Sequence, residues 1–373
     1  MTNRGSLALL PEQALIAIVG GGLMGRLLAL ELSRAGHAVA LYDRGGPQAE
    51  HAAARVAAAM LAPLAESAVT EPCVVRMGHY ALTRWPELLA QLSQPVYLQR
   101  EGTMVVWHRQ DAAEAQRFRG MLERTQAAIP ELPPLQALDR SGLAQTEPAL
   151  AERFFQGYYL PGEGQLDNRQ LLQALADTLA ARGVQLHWNT EREIADFRPG
   201  TPGQPDWVID CRGLGARPQW PGLRGVRGEV LRVHAPEVPL SRPTRLMHPR
   251  YPIYIAPKEN HYFVIGATEI ESDDMSPASV RSAMELMSAA YTVHSGFAEA
   301  RILEINVQCR PALPDNLPAV RQVQPRVLEV NGLYRHGFMI APAMLDATLE
   351  LLTQGHSPLA ARLGLSAPEQ IPH

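Results

Sequence analysis

The 373-residue sequence predicts an α/β fold of two domains: a parallel sheet layered with helices, carrying an inserted α+β domain built on an antiparallel sheet. Three observations predict it. A strand, a glycine turn, a helix and a second strand follow one another over residues 15–43. Strand and helix signals of the same kind return over 168–215 and 327–352. Between these stretches, from Gly225 to Ile270, strands alternate with turns and no helix intervenes. The length suits two domains. The first is expected to be discontinuous, over 14–92, 160–224 and 312–373, and the second to comprise 93–159 and 225–311.

Leu15-Ile16-Ala17-Ile18-Val19 is a continuous apolar run, the signature of a strand buried on both faces. Leucines at helical spacing continue to Arg34, where Gly36 stops the helix, and His37–Tyr42 is the next strand. Glu71–Leu92 reads as a long amphipathic helix, Val96–Trp107 as strands turning at Glu101-Gly102, and Ala112–Ala128 as a polar, alanine-rich helix. Pro130–Pro134 is a turn. Asn168–Arg182 is a helix stopped by Gly183 and followed by a strand over Val184–Trp188, and Trp207–Asp210 is a strand entering a second glycine turn. Gly228–His234, Ile253–Ala256 and Tyr262–Ala267 are the antiparallel strands. A helix over Ser279–His294, with Met284 and Met287 read as core, precedes strands at Ile302–Gln308 and Val327–Val330 and a last helix from Pro342 to Leu352.

Composition removes several classes of function. The net charge of −4 argues against a sequence-blind polyanion binder. Cys73, Cys211 and Cys309 form no paired framework or zinc motif, and the twelve histidines show no His-x-x-x-His spacing, so no metal is expected. Lys258 is the only lysine. It lies in Ala-Pro-Lys-Glu rather than Gly-Lys-Ser/Thr, which excludes a P-loop and makes a pyridoxal Schiff base a poor choice. No apolar stretch approaches the roughly 20 residues of a membrane span, and Met1–Gln13 has no leader pattern. A cytoplasmic protein is expected.

Gly20, Gly22 and Gly25 form Gly-x-Gly-x-x-Gly between strand and helix. In such a Rossmann-like unit the first glycine allows the tight turn, the second lets a pyrophosphate approach the backbone, and the third lets helix pack on strand. Leu23 and Met24 complete the turn, and Asp43 ends the second strand where ribose hydroxyls need an acceptor. A dinucleotide site follows. FAD rather than NAD is favoured by two later segments: Asp210–Gly215, like the returning strand and turn of two-domain flavoproteins, and Asn331–Met339, which leads into a helix whose dipole would face a flavin.

With these pieces, the chain resembles the D-amino-acid oxidase family of FAD-dependent oxidoreductases, nearest its glycine-oxidising members in thiamine biosynthesis. The resemblance runs from Ile16 to about Leu352 and is weakest over 90–150. It rests on the glycine turn, Ala57–Ala62, Arg227-Gly228-Glu229, Tyr254–Lys258, Val264–Thr268, Arg310-Pro311 and Arg335-His336-Gly337. It implies a glutathione-reductase-type FAD domain. The cofactor residues would be Gly20, Gly22, Leu23, Met24, Gly25, Asp43, Arg55, Ala58, Met60, Gly213, Gly332, Arg335, His336, Gly337 and Met339. Two departures stand out: Ala59 occupies a position where the family usually has glycine, and Arg55 one where it often has serine or threonine.

The same resemblance implies oxidation of glycine, small D-amino acids or sarcosine by hydride transfer from Cα to flavin N5. The products are an imine that hydrolyses to an oxo acid and ammonia, and H₂O₂ from O₂ as acceptor. No acid/base residue is required; the protein supplies orientation. Arg310 would grip the substrate carboxylate, Tyr254 would add a hydroxyl, and Arg335 would be a second cation beside flavin and substrate. FAD is expected to be non-covalent, although covalent sarcosine oxidases attach it near the place of Cys309. The alternatives are a sarcosine-type amine oxidase, a D-amino-acid dehydrogenase with another acceptor, or a non-catalytic flavin protein. The expected partners are a small amino-acid substrate and O₂, with no nucleic acid; a homo-oligomer is compatible with the sequence.

Overall fold

The computed structural model of the chain describes residues 9–248, 252–365 and 369–370. Residues 1–8 lie outside the described residues, as do 249–251 of the expected second domain and 366–368 and 371–373 of the first. A seven-stranded sheet runs in the order Glu369–Gln370, Ala319–Gln324, Val327–Asn331, Trp207–Asp210, Leu15–Val19, Ala38–Tyr42, Gln185–His187. All neighbours are parallel except Ala319–Gln324 and Val327–Asn331. The apolar run Leu15–Val19 lies inside the sheet, and from Ile16 to Val19 it is buried, with Ile16 and Ile18 fully so. The helices Leu23–Arg34, Pro72–Leu89, Asn168–Ala181 and Gly337–Gln354 cover one face in one continuous core.

The second sheet has eight strands, in the order Arg301–Ala312, Arg224–His234, Tyr262–Gly266, Ile253–Pro257, Thr244–Met247, Thr103–Trp107, Gln156–Leu160, Gln136–Asp139. Its expected antiparallel character needs one correction, because Thr244–Met247 runs parallel to Thr103–Trp107. That pairing joins segments about 140 residues apart, and four residues carry too little alternation to announce a strand. Gln136–Asp139 and Gln156–Leu160 escaped prediction for the same reason. A small antiparallel sheet, Met60–Leu61, Gly164–Leu166 and Leu98–Gln99, ties the chain together beneath the cavity described below.

Two further expectations are corrected. The last long helix starts at Gly337, five residues before Pro342. Pro342 cannot donate to the Phe338 carbonyl, and the indole Nε1 of Trp85 donates to it instead at 2.9 Å, so the helix passes through the proline. Met284 and Met287 lie on the outer face of the Val280–Val293 helix, 58% and 36% exposed; its buried face is Leu286, Ala289, Ala290 and Val293. Among the described residues no helix is long and apolar enough to cross a membrane.

Candidate active site

The glycine turn is shaped by close approach. Gly20 takes φ +103° and lies against the Cys211–Arg212 backbone, while a side chain on Gly25 would run into the Gly20 carbonyl oxygen. Gly22 differs: a Cβ there would meet only Ala52, at 3.7 Å, and otherwise faces a cavity of about 610 Å³. Leu23 and Met24, at the start of the Leu23–Arg34 helix, line the same cavity. One carboxylate oxygen of Asp43 accepts from the Gly21 N–H at 2.5 Å and the other from Gly45 at 2.7 Å. Each oxygen keeps a lone pair for a hydroxyl in the cavity. Arg55 is half-buried in the cavity wall and donates to the Gln48 carbonyl at 2.9 Å.

Two distant turns close on this one. Gly213 (φ +57°) and Gly332 (φ +76°) need the left-handed conformation. The Asn331 side chain bonds them together, donating to Gly213 O at 2.9 Å and accepting from Gly332 N at 2.8 Å. The segment then enters the Gly337–Gln354 helix. Gly337, Phe338 and Met339 of its first turn line the cavity, and a Cβ on Gly337 would meet nothing within 4 Å. His336 is buried; desolvation pushes its imidazole down to about 4 despite nearby Glu66, so it is neutral at physiological pH.

Ala58, Ala59 and Met60 form the next wall. Ala59 adopts φ +54°, the region glycine takes without strain, which accounts physically for glycine being the family's usual residue there. The loop is anchored from below by Lys258, whose ammonium donates to Ala58 O at 2.8 Å, Leu166 O at 2.8 Å and Gln165 Oε1 at 2.9 Å. This structural use of the single lysine carried no local signal.

The far end of the cavity holds the expected substrate residues together. Arg310 lies over Gly228, where any side chain would strike its guanidinium. Among the described residues it donates only to backbone, to Thr268 O at 3.3 Å and Arg227 O at 3.5 Å. Tyr254 lines the same end, its phenol raised by burial while Arg310 and Arg335 oppose the shift. Arg335 is there too, but engaged: Nε reaches Glu66 at 3.1 Å and an NH1 reaches Glu269 at 2.6 Å. Burial alone would raise Glu66, yet Arg335 and Arg245 hold its carboxyl down at about 2. Glu66, Arg245 and Glu269 went unnoticed in the sequence because nothing local marks an acid as facing a distant arginine. Cys309, next to Arg310, turns its thiol to the Ser272 and Asp274 carbonyls on the opposite side of the strand.

The walls fit a flavin dinucleotide. Gly22 and Gly337 leave open the space that side chains would fill, two helix N-termini border it, and an acceptor stands at the second strand end. A Rossmann-type cleft continuous with an arginine-lined pocket defines a two-domain oxidoreductase using a nucleotide cofactor. The family model described as FAD dependent oxidoreductase (DAO) matches residues 16–350, and the chain belongs to this family. It is 42% identical over 344 residues to a Rhizobium etli protein assigned as the thiamine biosynthesis oxidoreductase ThiO, covering 92% of this chain and 98% of that one. Identity to the glycine oxidase of Geobacillus kaustophilus is 27% over 358 residues, with 88% and 89% covered. A crystal structure of glycine oxidase from the same organism superposes with a TM-score of 0.77 at 26% identity, over 94% of this chain and 98% of that one.

Proposed function

We propose that the protein oxidises glycine or small D-amino acids in support of thiamine biosynthesis, with O₂ as electron acceptor and in the cytoplasm. The observation that carries the reading is Arg310: a guanidinium in the cavity wall that, among the described residues, has no carboxylate partner and bonds only to two carbonyls. A planar fork of this kind suits a substrate carboxylate held in two places. FAD, when bound, supplies the two-electron acceptor for the substrate Cα–H bond. Its pyrophosphate would be held at Gly20, Gly22, Leu23 and Met24, with Gly25 packing the helix against the strand behind them, and its ribose at Asp43, with Arg55 and Gly213 alongside. Ala58, Met60, Gly332, Arg335, His336, Gly337 and Met339 would surround the ring. In this reading the cofactor domain is 14–92, 160–224 and 312–373, and the substrate domain 93–159 and 225–311.

The chain's own residues then bind and orient. Arg310 fixes the carboxylate and Tyr254 donates its hydroxyl to it, which leaves Cα one defined position in the pocket. Val230, Ala267 and Met60 line the cavity around it and limit water. The amine proton leaves to solvent: among the described residues here, burial makes the His336 imidazole a weak base, and the Glu66 and Glu269 carboxylates are paired with arginines. The test is anaerobic addition of glycine, D-alanine and sarcosine to the yellow protein. Bleaching of the flavin by the amino acids, with H₂O₂ formed on admission of air, is expected; no bleaching by any of them rejects the reading.

A further inference from the structure

Within this oxidase reading, on which it rests, we infer that Glu269 is a specificity-determining residue that restricts the site to amino acids carrying a single carboxylate. The basis is the local charge balance at the substrate end of the cavity. Two arginines line it among the described residues, Arg310 and Arg335, and Arg245 stands behind Glu66. Glu66 takes Arg245 and one side of Arg335, and Glu269 takes the other side of Arg335. Among the described residues Arg310 has no acid. The wall therefore matches one substrate carboxylate, and a second would meet either an occupied arginine or the Glu269 carboxylate itself.

Position supports the assignment. Glu269 follows Thr268, the residue whose carbonyl touches Arg310, so the acid stands directly beside the proposed carboxylate grip. Its carboxylate spans the mouth, accepting from the Tyr334 hydroxyl at 2.6 Å and from Arg335 at 2.6 Å. It is no loose surface acid. The segment after it is pinned by Arg224 to Glu271, Arg217 to Asp273, and Arg227 to the Asp274 carbonyl. Glu66 lies deeper and is only 15% exposed, whereas Glu269 is 48% exposed, so Glu269 is the acid that an incoming side chain meets first. Like charges brought together in a partly desolvated site discriminate strongly between ligands. Removing the charge at 269 both lifts that repulsion and frees one edge of Arg335 for a second carboxylate.

The experiment uses FAD-loaded protein and two readouts. Acetate and malonate are titrated while the flavin spectrum is recorded, and D-alanine and D-aspartate are compared as substrates. The quantity read is the dicarboxylate-to-monocarboxylate ratio, whatever happens to either absolute value. In wild type the ratio should be well below one by both readouts. Glu269→Gln should raise it by roughly tenfold or more, and Glu269→Asp, which keeps the charge, should leave it near wild type. FAD content confirms that each variant is folded. An unchanged ratio in Glu269→Gln, or a wild type that takes malonate as readily as acetate, overturns the inference. Failure of every amino acid to reduce the flavin would reject the oxidase reading alone, because the carboxylate titration still decides the role of Glu269.

Discussion

Arg310 and Lys258 are both basic residues beside the cavity, yet one faces it and the other is bonded into the protein beneath it. In the proposed reading Arg310 offers its paired N–H groups to the substrate carboxylate, so Arg310→Lys should retain FAD and fold while losing the two-point grip. Losing that charge-assisted bond costs about 2–3 kcal/mol, so kcat/KM for glycine should fall roughly 30- to 150-fold, measured by oxygen uptake. Unchanged turnover would remove Arg310 from the site. Lys258 spends all its donors on the protein. Burial depresses its pKa from 10.5 to about 7, with Asp167 opposing the shift. Between those values the folded chain binds fewer protons at this site than the unfolded chain, so its contribution to stability rises with pH. The stability of wild type relative to Lys258→Met should therefore rise from pH 7.5 to 9.5, by at most about 1.4 kcal/mol per pH unit. Urea unfolding of the FAD-loaded proteins measures it, and a gap independent of pH would contradict the assignment.

At the scale of elements, the decisive joint is the start of the Gly337–Gln354 helix. Pro342 orphans the Phe338 carbonyl, and Trp85, from the Pro72–Leu89 helix, supplies the missing N–H. Trp85→Phe keeps most of the packing and removes the donor. A buried acceptor left alone costs about 1–3 kcal/mol, and that loss should appear in urea unfolding. Adding Pro342→Ala restores a backbone N–H at the same carbonyl, so the double variant should recover most of it. If the two substitutions merely add, the indole bond is not what carries the helix through its proline. Gly337, Phe338 and Met339 line the cavity, so the joint also sets one wall of the cofactor site.

For the whole molecule, the cavity draws its walls from chain segments near residues 20, 55, 212, 310 and 335, which span both large sheets. A ligand bound only by the assembled chain stabilises it by mass action, about 4 kcal/mol when free FAD is a thousandfold above its Kd. Stripping FAD should therefore lower the midpoint of thermal unfolding, and added FAD should restore it in a concentration-dependent way. A midpoint indifferent to FAD would mean that these walls do not hold it.

What the sequence determined by itself is local or nearly so. Leu15–Val19 could be read as a buried strand, Gly20–Gly25 as a phosphate-type turn and Asp43 as its acceptor, because each depends on neighbours within about one supersecondary unit. The helix Ala112–Ala128 was legible to the residue for the same reason. Arg310, Tyr254 and Arg335 were reached only through resemblance, since one arginine among many has no local mark. Tertiary structure alone decided that Arg335 stands between Glu66 and Glu269, that Lys258 reaches back 200 residues to Ala58, and that Trp85 serves a carbonyl 253 residues later. These are pairings across folded surfaces. Periodicity encodes which face of an element is buried, but the identity of the side chain opposite it is set only when the sheets and helices have packed.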